Sequence, residues 1–247
     1  MTDTSPQGSG TRRVRKVLTT RRGGFSASPY DSFNLGDHVG DDPAAVAANR
    51  RRLAEGMGLD PARFVWMEQI HSNTVTVIDG PRDEPVPATD AIVTRVPDLA
   101  LVVLVADCVP VLLSDDDAGV IAAVHAGRIG ARNGIVAKAV AAMVELGATP
   151  ANIHALLGAA AGGENYEVPE AMAADVEKHL PGSRTTTTKG TPGLDVRAGL
   201  MRQLHGLGVT NINAEPRCTI AETDYFSYRR EGTTGRQAGV VVLVGEA

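Results

Sequence analysis

The chain has 247 residues, 43% of them hydrophobic and 21% charged, with a formal net charge of -5. That composition suits a globular protein with a full core. An acidic balance and only 4% aromatic residues exclude a polyanion-binding surface and a base-stacking platform, so no nucleic acid polymer is expected as partner.

Residues 1–12 read as a disordered leader. Met1 to Gly10 is polar, without the apolar segment of a signal peptide. Residues 13–247 read as one domain. Arg15 to Thr19 predicts a first strand, and Arg21 to Gly40 a long loop of the kind that is functional or disordered. Asp41-Asp42-Pro43 predicts a helix start, the helix running from about Ala44 to Gly56. Phe64 to Met67 and Thr74 to Ile78 are short β-like segments, joined to the next by a Pro-containing connector from Gly80 to Pro87.

Leu99 to Val105 is an unbroken apolar run, as expected of a strand buried on both faces. Val109 to Leu113, closed by the acidic turn Asp115-Asp116-Asp117, and Val120 to Val124 predict two more strands. Asn133-Gly134 precedes a periodic helix to about Leu146, and Ile153 to Leu157 is again strand-like. Pro169 to His179 and Leu194 to Leu207 predict helices, Thr185 to Thr188 an edge strand, and Val209 to Ile212 and Gly239 to Val244 strands. This alternation predicts an α/β fold, a single layered domain with a mixed β-sheet and packed helices. No apolar run approaches the roughly 20 residues of a membrane span, so no membrane is expected. The two cysteines, Cys108 and Cys218, fit a reducing, cytoplasmic setting.

Three metal-competent side chains fall near the ends of core strands: His71 in Gln69-Ile70-His71-Ser72, Cys108 in Ala106-Asp107-Cys108-Val109, and His125 in Val124-His125-Ala126-Gly127. They lie 37 and 17 positions apart, unlike the paired ligands of a structural zinc knuckle. Dispersed ligands suit a three-donor site with an open position, where a thiolate and two imidazoles fit zinc, with copper possible. A lone buried Cys is more often an inert small hydrophobe, and a lone core His is usually just hydrogen-bonded, so spacing alone leaves both readings open. Asp107 either orients a ligand or caps a turn, and Cys218 reads as structural. Tyr225 to Arg236 gathers Arg229, Arg230 and Arg236 with hydroxyl residues and glycines, which suits a phosphate or carboxylate as well as a solvated turn. His38, His154, His179 and His205 show no matching partners, and the last two are expected at the surface.

Several stretches taken together resemble a known family. They are Thr19 to Leu53, QIHSNTV (Gln69 to Val75), TDAIVT (Thr89 to Thr94), ADCVPVLL (Ala106 to Leu113), AVHAG (Ala123 to Gly127), YEV (Tyr166 to Val168) and FSYRREGTTGRQA (Phe226 to Ala238). The family is the YfiH family, also called polyphenol-oxidase or laccase-domain proteins and peptidoglycan editing factors. The resemblance implies a YfiH-like fold and zinc held by His71, Cys108 and His125, which would also be the catalytic residues. It implies purine nucleosides and inorganic phosphate as partners: phosphorolysis of adenosine, inosine, guanosine and S-methyl-5′-thioadenosine, with adenosine deamination. Arg229, Arg230, Arg236 and Arg50 (or Arg51) are candidates for holding phosphate, and Asn34 for touching substrate.

Other readings stand beside it. They are copper-dependent phenol oxidation, a cysteine-type hydrolase or editing factor for peptidoglycan precursors using Cys108 and His125, and a non-catalytic metal- or nucleoside-binding module. The oligomeric state stays open between monomer and weak dimer. Two segments depart from the family pattern. Where HAGWRG is common, this chain has Arg128 for Trp and Ile129 for Arg, and Gly158 to Tyr166 lacks the usual prolines.

Overall fold

The computed structural model describes residues 13–245, so the expected leader lies outside the described residues. The strands, in order, are β1 (Arg13–Leu18), β2 (Phe64–Val65), β3 (Val75–Ile78), β4 (Ala91–Thr94), β5 (Ala100–Val105), β6 (Val109–Asp115), β7 (Val120–Ala126), β8 (His154–Leu157), β9 (Arg184–Thr186), β10 (Pro192–Leu194), β11 (Asn211–Ala214) and β12 (Gln237–Val244). The helices are α1 (Pro43–Met57), α2 (Arg128–Arg132), α3 (Ile135–Glu145), α4 (Glu170–His179), α5 (Val196–Gly206) and α6 (Tyr228–Glu231). None is long and apolar enough to cross a membrane.

The expected mixed sheet is two mixed sheets, of order β1-β12-β5-β2 and β11-β8-β6-β7-β4-β3, with β9 and β10 as a separate ribbon. Alternation along each strand builds the layers, because successive side chains point to opposite faces. Leu101 and Val103 of β5, with Val241 and Leu243 of β12, meet Leu112 of β6 and Ile121 and Ala123 of β7 in a core between the sheets. The opposite residues of β5 and β12 (Ala100, Val102, Leu104, Ala238, Val240, Val242) pack on Leu53, Ala54 and Met57 of α1. On the far side, Val111, Leu113, Ala122 and Val124 pack on α3, α4 and α5. The order of layers is therefore helix, sheet, sheet, helices. This explains why β5 reads as an unbroken apolar run: both of its faces are buried, as are those of β6 and β7.

Local chemistry sets the helix ends. Asp42 caps α1 by accepting from Ala44 N at 3.0 Å, Pro43 occupies its first position, and Gly58 ends it in the left-handed conformation. Gly134, at φ 79°, opens α3 where a side chain would be strained. β4 escaped the sequence reading because its four residues follow a loop with no strand-like periodicity of its own. They are nevertheless fully buried between β7 and β3. The acidic turn is also corrected: β6 continues to Asp115, a buried side chain that accepts from Ala118 N and Thr149 N and ties the strand to the turn after α3. The strand expected at Val209 begins later, at Asn211, where parallel pairing with β8 starts, while Val209 itself fills the core as loop.

One buried side chain of α1 ties together the first half of the loop from Arg21 to Gly40. The Asn49 amide accepts from Phe25 N and donates to Ser26 Oγ, Ser32 O and Asn34 O.

Candidate metal centre and its cavity

Pairing in the six-stranded sheet puts three chain-distant segments at one edge. β6 begins where β7 ends, with Val109 opposite Ala126 and Pro110 opposite His125. β3 and β4 begin at the same edge, Val75 opposite Ala91 and Ala91 opposite Val124. The turn Ala106–Cys108, the end of β7 and the loop carrying His71 therefore converge. The donor atoms of His71, Cys108 and His125 all lie within 4.8 Å of one another, with Cys108 Sγ 3.8 Å from His71 Nε2. The two imidazole rings meet edge to face at 4.8 Å.

Asp90, just before β4 and fully buried, organises this cluster. One carboxylate oxygen accepts from His125 Nδ1 at 2.8 Å and from His71 N at 3.0 Å; the other accepts from Ser72 N and Ser72 Oγ. A proton on Nδ1 of His125 leaves Nε2 toward Cys108 as the free donor, the usual carboxylate–histidine arrangement behind a metal. Burial pushes the Asp90 carboxyl up. The hydrogen bonds from His125 and Ser72 outweigh it and bring it down to about 2. Burial likewise opposes charge on both Cys108 and His125. Their mutual attraction wins, lowering the thiol and raising the imidazole. Sequence reading assigned Asp90 no role, since a single aspartate in a loop carries no spacing signal.

Two imidazole nitrogens and a thiolate are a donor set suited to zinc or copper, and with a spread of no more than 4.8 Å they are close enough to hold one ion. The backbone leaves room for it: a Cβ on Gly127 would sit 2.9 Å from His71 Cδ2 and 3.0 Å from Cys108 Sγ. Gly127→Ala should therefore still fold, since its φ of −70° suits any residue. It should hold less metal and lose activity by about tenfold or more, an overpacking effect of roughly 1–3 kcal/mol concentrated on two ligands. Metal stoichiometry measured beside the melting temperature checks this, and full metal content would contradict it.

All three donors line one cavity of about 370 Å³. Its walls include Gln69, Leu104, Val109, Ala161, Tyr166 and Val196, with His38, Arg128, Tyr228, Arg229 and Arg236 adding polar groups. Gln69 fixes the His71 loop by exchanging two hydrogen bonds with the Leu104 backbone.

The other expected site residues divide. Arg229 and Arg236 face the cavity; Asn34, Arg50 and Arg230 are not among its lining residues. Asn34 is fully buried, its amide committed to Gly36, Asp41 and the Arg236 backbone, so it braces the loop. Arg50 donates to Leu35 O, pairs with Asp37 and stacks on Trp66. Arg230 gathers the carbonyls of Thr219, Ile220, Glu222 and Tyr225. Asp107 turns away from the cluster to accept from Thr219 Oγ1 and Arg229 N, so it is a turn anchor. Cys218 accepts from Gly162 N outside the cavity lining. His154 does have partners, Lys16 and Asn213. His38, for which the sequence offered no matching partner, borders the cavity, and Tyr166 and Tyr228 are aromatic walls that spacing could not single out.

Known proteins resemble the chain over almost its whole length. A family model described as multi-copper polyphenol oxidoreductase laccase matches residues 15–244. The chain is 72% identical over 238 residues to a purine nucleoside phosphorylase of Corynebacterium glutamicum, covering 96% of this chain and 97% of that protein. It is 58% identical over 229 residues to one from Mycobacterium tuberculosis, covering 93% and 92%. Among solved structures, YlmD from Geobacillus stearothermophilus superposes with a TM-score of 0.88 at 32% identity, covering 94% and 92%. The hypothetical protein YfiH of Bacillus licheniformis gives 0.87 at 32%, covering 93% and 92%.

Proposed function

We propose, on the premise that this chain belongs to the multi-copper polyphenol oxidoreductase laccase (YfiH) family, that it is a metal-dependent purine nucleoside phosphorylase. The observation that carries the reading is the placement of two imidazoles and a thiol in the wall of a cavity that also presents arginines and tyrosines. The names of the relatives support the reaction, and the donor chemistry supports zinc, with copper the competitor.

His71, Cys108 and His125 would hold the ion, which supplies Lewis-acid chemistry when bound. Arg229 and Arg236 bind the phosphate and aim one oxygen at the ribose C1′. As that C–O bond forms, the C1′–N9 bond breaks and its electron pair leaves with the purine, which takes up the proton that the attacking hydrogen phosphate gives up. Tyr166 and Tyr228 offer ring faces to the base. The apolar wall of Leu104, Val109 and Val196 keeps competing water from C1′. Substrates of this reading are adenosine, inosine, guanosine and S-methyl-5′-thioadenosine. Adenosine deamination, water adding at C6 and ammonia leaving, is assigned to the same cavity, with His38 available to carry a proton.

Metal analysis of the purified protein, run beside a chromatographic screen of nucleosides with and without phosphate, tests this. The expected result is about one ion per chain and release of free base only when phosphate is present. No base released at any phosphate concentration would refute it. The lowered Cys108 thiol beside His125 favours one second reading, a cysteine-type hydrolase. Inactivation by iodoacetamide in protein shown to lack metal would select it.

A further inference from the structure

The cavity beside the three-donor cluster holds three arginines, and two of them each commit one guanidinium nitrogen to the protein while their other N–H groups stay open to a ligand. Arg229 Nη1 donates to Glu167 O at 2.7 Å, and its guanidinium lies 4.7 Å from the Tyr166 ring centroid. Arg236 Nη1 donates to the carbonyls of Thr234 and Gly235. Arg128 makes no hydrogen bond or ion pair among the described residues, although it is half-buried and lines the cavity. The lining contains one carboxylate, Asp107, and both of its oxygens are taken by Thr219 and the Arg229 backbone. Among the described residues no acid of the wall forms an ion pair with Arg128.

A planar fork of five N–H donors held without partners in a concave site matches a tetrahedral oxyanion. Its position is fixed relative to the cluster. Arg128 follows His125 by three residues and opens α2, whose first turn is closed by Ala131 N donating to Gly127 O at 2.8 Å.

We propose that Arg128 is a specificity-determining contact for a phosphate group bound in this cavity. The inference rests on the phosphorylase reading for the identity of the anion. The group arrives either as free inorganic phosphate or as the 5′-phosphate of a nucleotide, and both present the same oxygens to the fork.

The test titrates inorganic phosphate, adenosine 5′-monophosphate and adenosine separately into the metal-loaded protein, its Arg128→Gln variant and its Arg128→Lys variant, by calorimetry. Arg128→Gln should weaken phosphate binding by about tenfold to a hundredfold, the size of a lost charged hydrogen-bond pair. Arg128→Lys should recover part of that loss. Adenosine affinity and melting temperature should stay unchanged, which a merely structural side chain would not allow. Weakening of inorganic phosphate identifies the free anion as the source; weakening of the monophosphate alone identifies a nucleotide. Equal affinities for both anions across all three proteins would overturn the proposal, as would absence of anion binding to the unaltered protein. Should the glutamine variant fail to fold, the lysine variant decides alone: unchanged anion affinity in it refutes the need for a fork. Anion binding through Arg128 without release of free base would sink the phosphorylase reading and leave this one standing. Phosphorolysis with an unchanged KM for phosphate in Arg128→Gln would do the reverse.

Discussion

Cys108→Ala should abolish both metal retention and turnover while the protein stays folded. Removing an outer partner of a ligand costs about 10–100-fold in metal affinity, and removing a ligand outright costs more. Two imidazoles then remain, too few for a tetrahedral ion at ordinary metal concentrations. The fold should tolerate the change. Cys108 sits at the rim of the inter-sheet core, packed against it and only partly buried, so a loss of roughly 1 kcal/mol is expected. Metal stoichiometry, nucleoside turnover and circular dichroism on the same preparation separate these effects. A strong chelator applied to the unaltered protein should reproduce the loss of turnover, and added zinc should restore it there but not in the variant. Normal turnover by metal-free Cys108→Ala would end the metal-dependent reading.

The layers were legible wherever burial dictates composition. β5 has both faces covered, so Ala100 to Val105 must be apolar throughout and announces itself. The start of α1 was equally plain, because Asp42 and Pro43 are the residues a helix start demands. β4 was not, since four buried residues carry too little pattern. That two sheets stack face to face follows from which alternate residues of β5, β6, β7 and β12 meet, a fact about pairing that no single strand encodes.

The candidate centre was legible only through combination. His71, Cys108 and His125 become a plausible set when all the surrounding stretches match one family, and their convergence is then a consequence of β6 and β7 pairing beside β4. The arginine-rich segment shows the limit of such reading. Arg229 reaches the cavity, while Arg230, its immediate neighbour, turns inward to hold four carbonyls. Composition treats the two alike; backbone direction in the short helix α6 does not. Asn34, read as a candidate substrate contact, lies outside the cavity lining, its polar atoms taken up by its own loop.

Asp90→Asn should be the most damaging change outside the three donors. The carboxylate receives four hydrogen bonds of 3.0 Å or less, from His125 Nδ1, His71 N, Ser72 N and Ser72 Oγ. A carboxamide has one acceptor oxygen, so its NH2 group must face a donor that the carboxylate had satisfied. The side chain is fully buried and water cannot compensate. A loss of about 3–5 kcal/mol is expected, the range for breaking a buried charged pair. Metal affinity should fall by about 10–100-fold as His125 loses its orienting partner. The same carboxylate sets an acid limit in the unaltered protein. Its pKa is depressed from 3.8 to about 2 in the folded state, so its contribution is complete above the unfolded value and drains away as pH falls through about 2. Metal-free Asp90→Asn should lack that acid dependence, which denaturant titrations between pH 2 and pH 6 would reveal. If the variant instead melts with the unaltered protein and keeps its ion, Asp90 is not what holds the two histidines in place.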